Sequence, residues 1–582
     1  MAKPLVDIRD LNVSFHNHGK ETKIIHGIDL TVGRNEILGI IGESGSGKTI
    51  TGLSLLRLLP RNAHVEAKEL SFDGIALPGL TEYQFGALRG IRMAMIFQDP
   101  VASFNPSKRI GWHFHHIIAR AAAHGPDRPH TGMALGNTRE KAIALMHSVG
   151  IKRAEAAIDL YPFQLSGGML QRALIALVLA LEPDLIIADE PTTNLDKIVE
   201  LQILELFRDI RQRLSAGMIF VTHDLAVAAT LCDRIAVMRF GELVEIGPTR
   251  QIFEDPQHEY TKLLIDTAQE LARGGDSGRL TTRIGADKNA AIVTRRDDAP
   301  EDNTSGSRSP LDGSPLVSVR NLAITFPGRG SHPAFKALDD ISFDVAPGEI
   351  LGLVGESGSG KTTLGRAILR LYTPSAGHIL YRGRDITRLS ETQLRPMRRD
   401  LQMVFQDPAG SFNPRKTMRA SLVDALRVAK ACARQQMPAR VNTLLHRVGL
   451  TEAHAERYPH ELSGGQLQRV AIARAICLSP SLIVADEAVS KLDVSVRAGV
   501  LNLFKDIQAE TGMAMIFITH DLEVARYMCD RIAVLYHGRM LEYGTTDEIF
   551  GNPRHDYTRS LLATMDHGVF GTSETRKASQ AS

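Results

Sequence analysis

Two hydrophobic patterns alternate along the chain. Short continuous apolar runs, EILGIIG at 36–42, LIIAD at 185–189 and MIFVTHD at 218–224, are too brief for helices and rich in β-branched residues. Runs of this kind predict parallel strands covered on both faces. Between them lie helix-like stretches such as TGLSLLRLL at 51–59 and TLGRAILRL at 363–371. The alternation predicts an α/β core, with a more helical insert ahead of residue 165. The longest helix-like apolar stretch, Ala173 to Leu181, is broken by Glu182. It falls well short of the ~20 residues that span a bilayer.

The pattern occurs twice. GESGSGKT stands at Gly42–Thr49 and Gly355–Thr362, FQDP at Phe97–Pro100 and Phe405–Pro408, each FQDP being followed by SFNP. LSGG begins at Leu165 and Leu462, ADE at Ala188 and Ala485, THDL at Thr222 and Thr519. The two copies are offset by 313 positions at the lysine of GESGSGKT, 308 at FQDP and 297 from LSGG onward. Most of the lost register lies between FQDP and LSGG, where the first copy carries extra sequence, a mark of a surface subdomain. A period this long means a duplicated domain. The expected division is a first domain over 1–270, a linker over 271–315 rich in Gly, Ser, Asp and Arg, a second domain over 316–565, and a tail over 566–582.

Composition narrows the class. The 582 residues are 43% hydrophobic and 23% charged, as in soluble globular proteins, and 68 Lys+Arg against 66 Asp+Glu leave a net +2. A balance so close to neutral argues against nucleic-acid binding through bulk positive field. Four cysteines with no CxxC pair or Cys/His cluster argue against a disulfide framework or structural zinc and suit a reducing compartment. The start, MAKPLVDIRDL, lacks a signal-peptide apolar core.

GESGSGKT follows a strand-like run and precedes a helix-like one, the setting of a phosphate-binding loop. Its glycines and serine, Gly42, Ser44, Gly45 and Gly47, with Gly355, Ser357, Gly358 and Gly360 in the second copy, let backbone N–H groups converge on phosphate oxygens. Lys48 and Lys361 are placed to reach the β- and γ-phosphates, and Thr49 and Thr362 to offer Mg²⁺ a hydroxyl. Asp189 and Asp486 end buried strands and suit the magnesium. Glu190 and Glu487 beside them suit polarising an attacking water. A lone Asp-Glu pair is usually a solvated turn; one that closes an apolar run after a phosphate loop is not.

The order of a phosphate loop, FQDP, LSGG, the Asp-Glu pair, a following LD and the histidine of THD resembles the ATP-binding cassette (ABC) ATPases over nearly the whole chain outside linker and tail. The resemblance implies two cassettes meeting head to tail with two ATP molecules buried between them. One site then uses Lys48, Asp189, Glu190 and His223 with Ser463 and Gly465; the other uses Lys361, Asp486, Glu487 and His520 with Ser166 and Gly168. It also implies that Gln98 and Gln406 link the magnesium site to a transport subunit, and that the two histidines hydrogen-bond the γ-phosphate. Phe15 and Phe326 correspond to the aromatic that stacks on adenine, although Phe15 alternates with Leu11 and Val13 as a core residue also would. The sequence departs from the family at Met169, where glutamine is usual, and at Asn194, Ala488 and Lys491 in the loops after the Asp-Glu pairs. Both sites nevertheless retain lysine, glutamate and histidine.

SFNP after FQDP, and the late segments PQHEYTKLL and PRHDYTRSLL, are similar to the oligopeptide, dipeptide and nickel importer branch, here in fused form. That resemblance implies two membrane permease subunits, an extracytoplasmic solute-binding protein, and a peripheral place on the cytoplasmic side of the inner membrane. The late segments have no evident chemistry, and their histidines, His258 and His555, read as structural. Alternatives from other classes are a ribosome-acting tandem ABC ATPase and an exporter ATPase. The former typically has a long charged helical spacer, unlike the Gly/Ser/Asp-rich stretch here.

Overall fold

In the computed structural model, all residues are described except 1–2, 18, 124–137, 194, 196, 276–278, 284–291, 294–313, 329–333, 429–432 and 567–582. They divide into two compact units, Met1–Ile265 and Asp266–His567.

In the first unit a six-stranded sheet runs in the order Glu242–Pro248, Arg234–Arg239, Ile37–Ile41, Gly217–Val221, Leu185–Asp189, Met93–Ile96. It is parallel except for the hairpin at one edge. Every residue of Ile37–Ile41, Leu185–Asp189 and Gly217–Val221 is buried, as their unbroken apolar character requires. On one face the helix Lys48–Leu55 and an antiparallel sheet built on Val6–Asn17 and Lys20–Val32 pack into one core with Leu38, Ile187 and Ile219. On the other face lies the helix Lys197–Leu214, whose Phe207 meets Phe220 edge-on at 5.4 Å. The helical insert comprises chiefly Ile110–Ala123, Thr138–Ser148 and Gly167–Leu179.

The second unit repeats the plan. Its central sheet runs Leu401–Val404, Leu482–Asp486, Ala514–Ile518, Ile350–Val354, Arg531–Tyr536, Arg539–Thr545. The flanking antiparallel sheet has four strands where the first unit has five. The shorter connection leaves one strand, Ala376–Tyr381, where the first unit has both Ala63–Glu66 and Glu69–Phe72.

The start of the segment expected to be linker is ordered on the second unit. Leu271 and Leu280 are 4% and 3% exposed within that unit's core. Leu280 N donates to Asn502 Oδ1 at 3.2 Å, Asn502 Nδ2 returns a bond to Leu280 O at 2.8 Å, and Arg279 pairs with Asp506 at 2.5 Å. Two leucines and an arginine with specific partners are enough to dock a stretch whose composition is otherwise that of a linker. Thr282–Arg283 then pairs with Ile292–Val293; most of the rest, and the expected tail, lie outside the described residues. Among the described residues no helix is long and apolar enough to cross a membrane.

Candidate functional site

The strand Ile37–Ile41 delivers the chain into the loop Gly42–Gly47, and the helix Lys48–Leu55 starts at its end. Gly42 has φ 148°, and a Cβ there would lie 2.1 Å from Met238 O; Gly47 has φ 99°, with Ile25 Cδ1 2.3 Å from such a Cβ. Gly355, at φ 143°, would meet Leu535 O at the same 2.1 Å, and Gly360 has φ 103°. Only glycine fits these turns. At the crest, Gly45 and Gly358 face open space and Ser44 and Ser357 are exposed, so a ligand has access.

Lys48 is buried. Its Nζ donates to Gly42 O at 2.6 Å and Glu43 O at 2.9 Å, and Lys361 makes the same bonds to Gly355 O and Glu356 O at 2.6 and 2.7 Å. The hydroxyl oxygen of Ser46, buried inside the loop, has no hydrogen-bond partner. A cradle of backbone N–H groups with an unmatched hydroxyl and a buried ammonium fits an oxygen-rich anion. Sequence reasoning passed over Ser46, though its place between two loop glycines marks it.

Thr49 Oγ1 donates to Asp189 Oδ1 at 2.9 Å, as Thr362 Oγ1 does to Asp486 Oδ1 at 2.9 Å. Burial raises the carboxyls of Asp189 and Asp486 above their ordinary range, an effect the threonine hydroxyls only partly offset. A buried carboxylate beside a hydroxyl, short of positive charge, fits a magnesium ion that completes its shell with phosphate and water. Among the described residues no cluster of three or more His, Cys, Asp or Glu could hold a metal.

Glu190 and Glu487 follow at φ 46° and 45°, a left-handed conformation costly for glutamate and typical of functional sites. Glu190 Oε2 accepts from Gln98 Nε2 at 2.8 Å and Thr193 Oγ1 at 3.0 Å, with His223 Nδ1 at 3.3 Å. In the second copy Gln406 Nε2 donates to Glu487 Oε2 at 2.6 Å and His520 Nδ1 lies 3.5 Å from Oε1. Burial pushes both glutamates up, but their contacts with the histidine, and with Lys48 or Lys361, outweigh it and hold both below the ordinary range. The side chain of Thr193 was another omission; its counterpart Ser490 donates instead to the backbone oxygen of Glu487.

The structure thus gathers Lys48, Thr49, Gln98, Asp189, Glu190 and His223 around one loop, and Lys361, Thr362, Gln406, Asp486, Glu487 and His520 around the other. Ser166 and Ser463 stand apart, exposed at the starts of the helices Gly167–Leu179 and Gly464–Ile476. Ser463 Oγ accepts from Gln466 N at 3.3 Å, and Gln466 Oε1 accepts from Ser463 N at 3.1 Å, a reciprocal cap. Met169 cannot return that bond, so Ser166 keeps only the half made with Met169 N at 3.3 Å. Gly168 and Gly465 lie against Val199 and Val496. Phe15 packs half-buried on the core, whereas Phe326 is 37% exposed and meets Tyr372 edge-on at 5.5 Å. Ala488 is buried and Lys491 exposed; Asn194 lies outside the described residues.

The copies differ again beyond Gln98 and Gln406. Arg474, on the second signature helix, donates to Ser411 O at 2.6 Å and Ser411 Oγ at 2.9 Å and covers the Phe412 ring at 4.3 Å, tying the SFNP loop to that helix. Its counterpart is Leu177, and the first copy uses His113 instead. Asn105 N donates to His113 Nε2 at 2.9 Å, His113 Nδ1 bonds Arg109 O at 3.0 Å, and the ring meets Phe104 edge-on. While Pro100–Ser103 still packs on the signature helix Gly167–Leu179, the side chain that anchors the first loop therefore comes from the helix Ile110–Ala123. Beside it lies a groove of about 400 Å³ lined by Lys108, Arg109, Trp112, His115, Arg139 and Tyr161 among others.

The family model described as ABC transporter matches residues 25–193 and 338–490, and that described as oligopeptide/dipeptide transporter, C-terminal region, matches 244–292 and 541–577. The glutathione import ATP-binding protein GsiA of Salmonella typhimurium is 41% identical over 97% of this chain and 90% of its own. The protein of that name from Escherichia coli O6:H1 is 40% identical with the same coverage. Among solved structures, the ATP-binding cassette MJ0796, a post-hydrolysis dimer with ADP and Pi, matches at 29% identity and a TM-score of 0.37, over 40% of this chain and 99% of its own. The chain belongs to the ABC transporter family, as a two-cassette ATP-hydrolysing subunit of the oligopeptide/dipeptide import branch.

Proposed function

We propose that both cassettes bind ATP with Mg²⁺ and hydrolyse it, and that closure and reopening of the pair drives uptake of short peptides through two membrane permeases. The observation that carries this reading is the repetition of one constellation, lysine on the loop carbonyls, threonine on aspartate, and glutamine and histidine on glutamate, in both copies. Bound magnesium would supply charge neutralisation at the phosphates. Lys48 and Lys361 leave their loop carbonyls for the phosphates, and Glu190 and Glu487 orient and polarise the attacking water. Ser463 with Gly465, and Ser166 with Gly168, offer N–H donors to the γ-phosphate bound by the other copy. ATP then favours the closed pair, and its loss on hydrolysis releases it.

Substrate and direction lie with the partners: permeases in the membrane, and a solute-binding protein on the far side that hands over the solute. The chain itself works from the cytoplasmic face of the inner membrane. Glutathione, named for the relatives, is a tripeptide of the proposed class.

The groove lined by Lys108, Arg109, Trp112 and Tyr161 suits a cytoplasmic permease helix. Trp112 is 38% exposed there, with Lys108 over its ring at 5.6 Å, whereas the second copy has Ala420 in its place. The two copies therefore present different faces, as two non-identical permeases require. Trp112→Ala should weaken association with one permease by at least about tenfold, the scale of a buried aromatic anchor. Co-purification with each permease separately, alongside uptake of labelled short peptides, checks this; equal retention of both permeases would count against the groove.

A further inference from the structure

The late segments P-x-H-x-Y-T have a structural logic that the two copies express bond for bond. In the first copy the edge strand Glu242–Pro248 supplies Glu245, whose Oε1 and Oε2 accept from Gln257 N at 2.8 Å and His258 N at 3.0 Å. The chain is thereby turned, and His258 Nδ1 accepts from Tyr260 N at 3.1 Å in the first turn of the helix Glu259–Ala272. Glu542 accepts in the same way from Arg554 N at 2.8 Å and His555 N at 3.2 Å, and His555 Nδ1 from Tyr557 N at 3.0 Å. The histidine is a cap, and the turn it closes aims the tyrosine inward.

Tyr260 is 1% exposed, and its hydroxyl accepts from the backbone N–H of Glu43 at 3.3 Å; Tyr557 accepts from Glu356 N at 3.1 Å. Glu43 and Glu356 are the second residues of the phosphate loops. The peptide unit that contributes the Glu43 N–H also contributes Gly42 O, the 2.6 Å acceptor of Lys48 Nζ, and the Glu356 unit likewise contributes Gly355 O for Lys361. One peptide plane is thus held from both sides, by tyrosine at its N–H and by the loop lysine at its C=O. What lies behind the tyrosine differs: the Arg239 guanidinium covers the Tyr260 ring at 4.8 Å, while the Tyr536 ring lies 4.4 Å from that of Tyr557. The hydroxyl-to-loop bond recurs over different support.

We propose that Tyr260 and Tyr557 are positioning residues for the phosphate loops, fixing the Gly42–Glu43 and Gly355–Glu356 peptide planes so that the loop lysine is held ready and the loop is preformed for nucleotide. The late motif is then a brace by which the C-terminal region of each cassette controls its own ATP affinity. This rests on the assignment of the loops to ATP, and it makes a demand on the nucleotide-free protein that does not.

Tyr260→Phe keeps the buried ring and removes the hydroxyl that accepts from Glu43 N. In the full chain without nucleotide, amide hydrogen exchange of the peptide containing Glu43 should quicken about three- to tenfold, the equivalent of one net hydrogen bond, while Gly355–Glu356 is unchanged. Tyr557→Phe should give the mirror image. With ATP, Tyr260→Phe should raise KM by a similar factor and lower kcat by less. His258→Ala, which loosens the turn but keeps the tyrosine, should move both readouts the same way by a smaller factor, and it serves if a phenylalanine variant does not fold. Unchanged exchange at Glu43 and unchanged KM, with only a lower melting temperature, would overturn the proposal and leave the motif as packing. Lys48→Ala separates the two assignments: if it left ATP binding intact the loop's assignment to ATP would fail, while the exchange result would still decide the brace.

Discussion

Glu190→Gln and Glu487→Gln should each slow phosphate release, and together they should lower it about 10²–10⁴-fold, the usual contribution of a residue that activates the attacking water. The substitution is nearly isosteric and keeps the acceptor that Gln98 or Gln406 uses, so loss of rate reports loss of the carboxylate rather than of the fold. Both glutamates are held ionised by the same kinds of neighbour, in the same left-handed backbone. Two working sites are therefore expected. Each single variant should retain nucleotide binding and lose at least half of the steady-state rate. If only one of the two lowers phosphate release, one copy is a regulatory nucleotide holder, and the differences at Met169, Asn194, Ala488 and Lys491 become the place to look.

Gly464→Glu should abolish hydrolysis at the site built on Lys48, in the other copy, by about 10²–10³-fold, the scale seen when donors aimed at a developing oxyanion are lost. A Cβ at Gly464 meets nothing within 4 Å, and the residue opens the helix Gly464–Ile476, where an acidic side chain is favourable. The second unit should tolerate the change with an unaltered melting temperature, and only the approach of a γ-phosphate from the first copy should suffer. Gly465 is the contrast, since a Cβ there would lie 2.4 Å from Val496 Cγ1 and substitution disturbs the unit itself. Phosphate release measured for Gly464→Glu in the Glu487→Gln background isolates the site in question. Full activity there would mean that the signature does not act across copies.

The central strands were readable because unbroken apolar runs such as LIIAD have no other stable home in a chain of this composition, and both phosphate loops because their eight residues are contiguous, with Gly42 and Gly355 where a Cβ would collide with backbone. Other features rest on partners remote in sequence. The Arg279–Leu280 segment looks like linker until Asn502 and Asp506 are placed beside it. The exchange of Arg474 for Leu177, compensated by His113, is invisible in either copy alone, because the two anchors come from different helices. The tyrosine of the late motif lies 217 positions from the loop residue it touches in the first copy and 201 in the second, and no local pattern announces the bond. Chemistry carried by a contiguous motif was legible; anchoring that joins distant segments was not.

Joining of the two halves through shared nucleotide is the step on which the engine depends. Cys232, Cys477 and Cys529 are buried; with the fourth cysteine, Cys432, replaced by serine, cysteines introduced at Ser44, exposed on the first phosphate loop, and at Gly464, exposed on the second signature helix, can be probed with a short thiol-specific cross-linker. Non-hydrolysable ATP analogue should produce a bridged species that is absent without nucleotide and does not form when ADP replaces the analogue. Bridging that is equally absent with and without the analogue, in protein shown to bind it, would contradict the account.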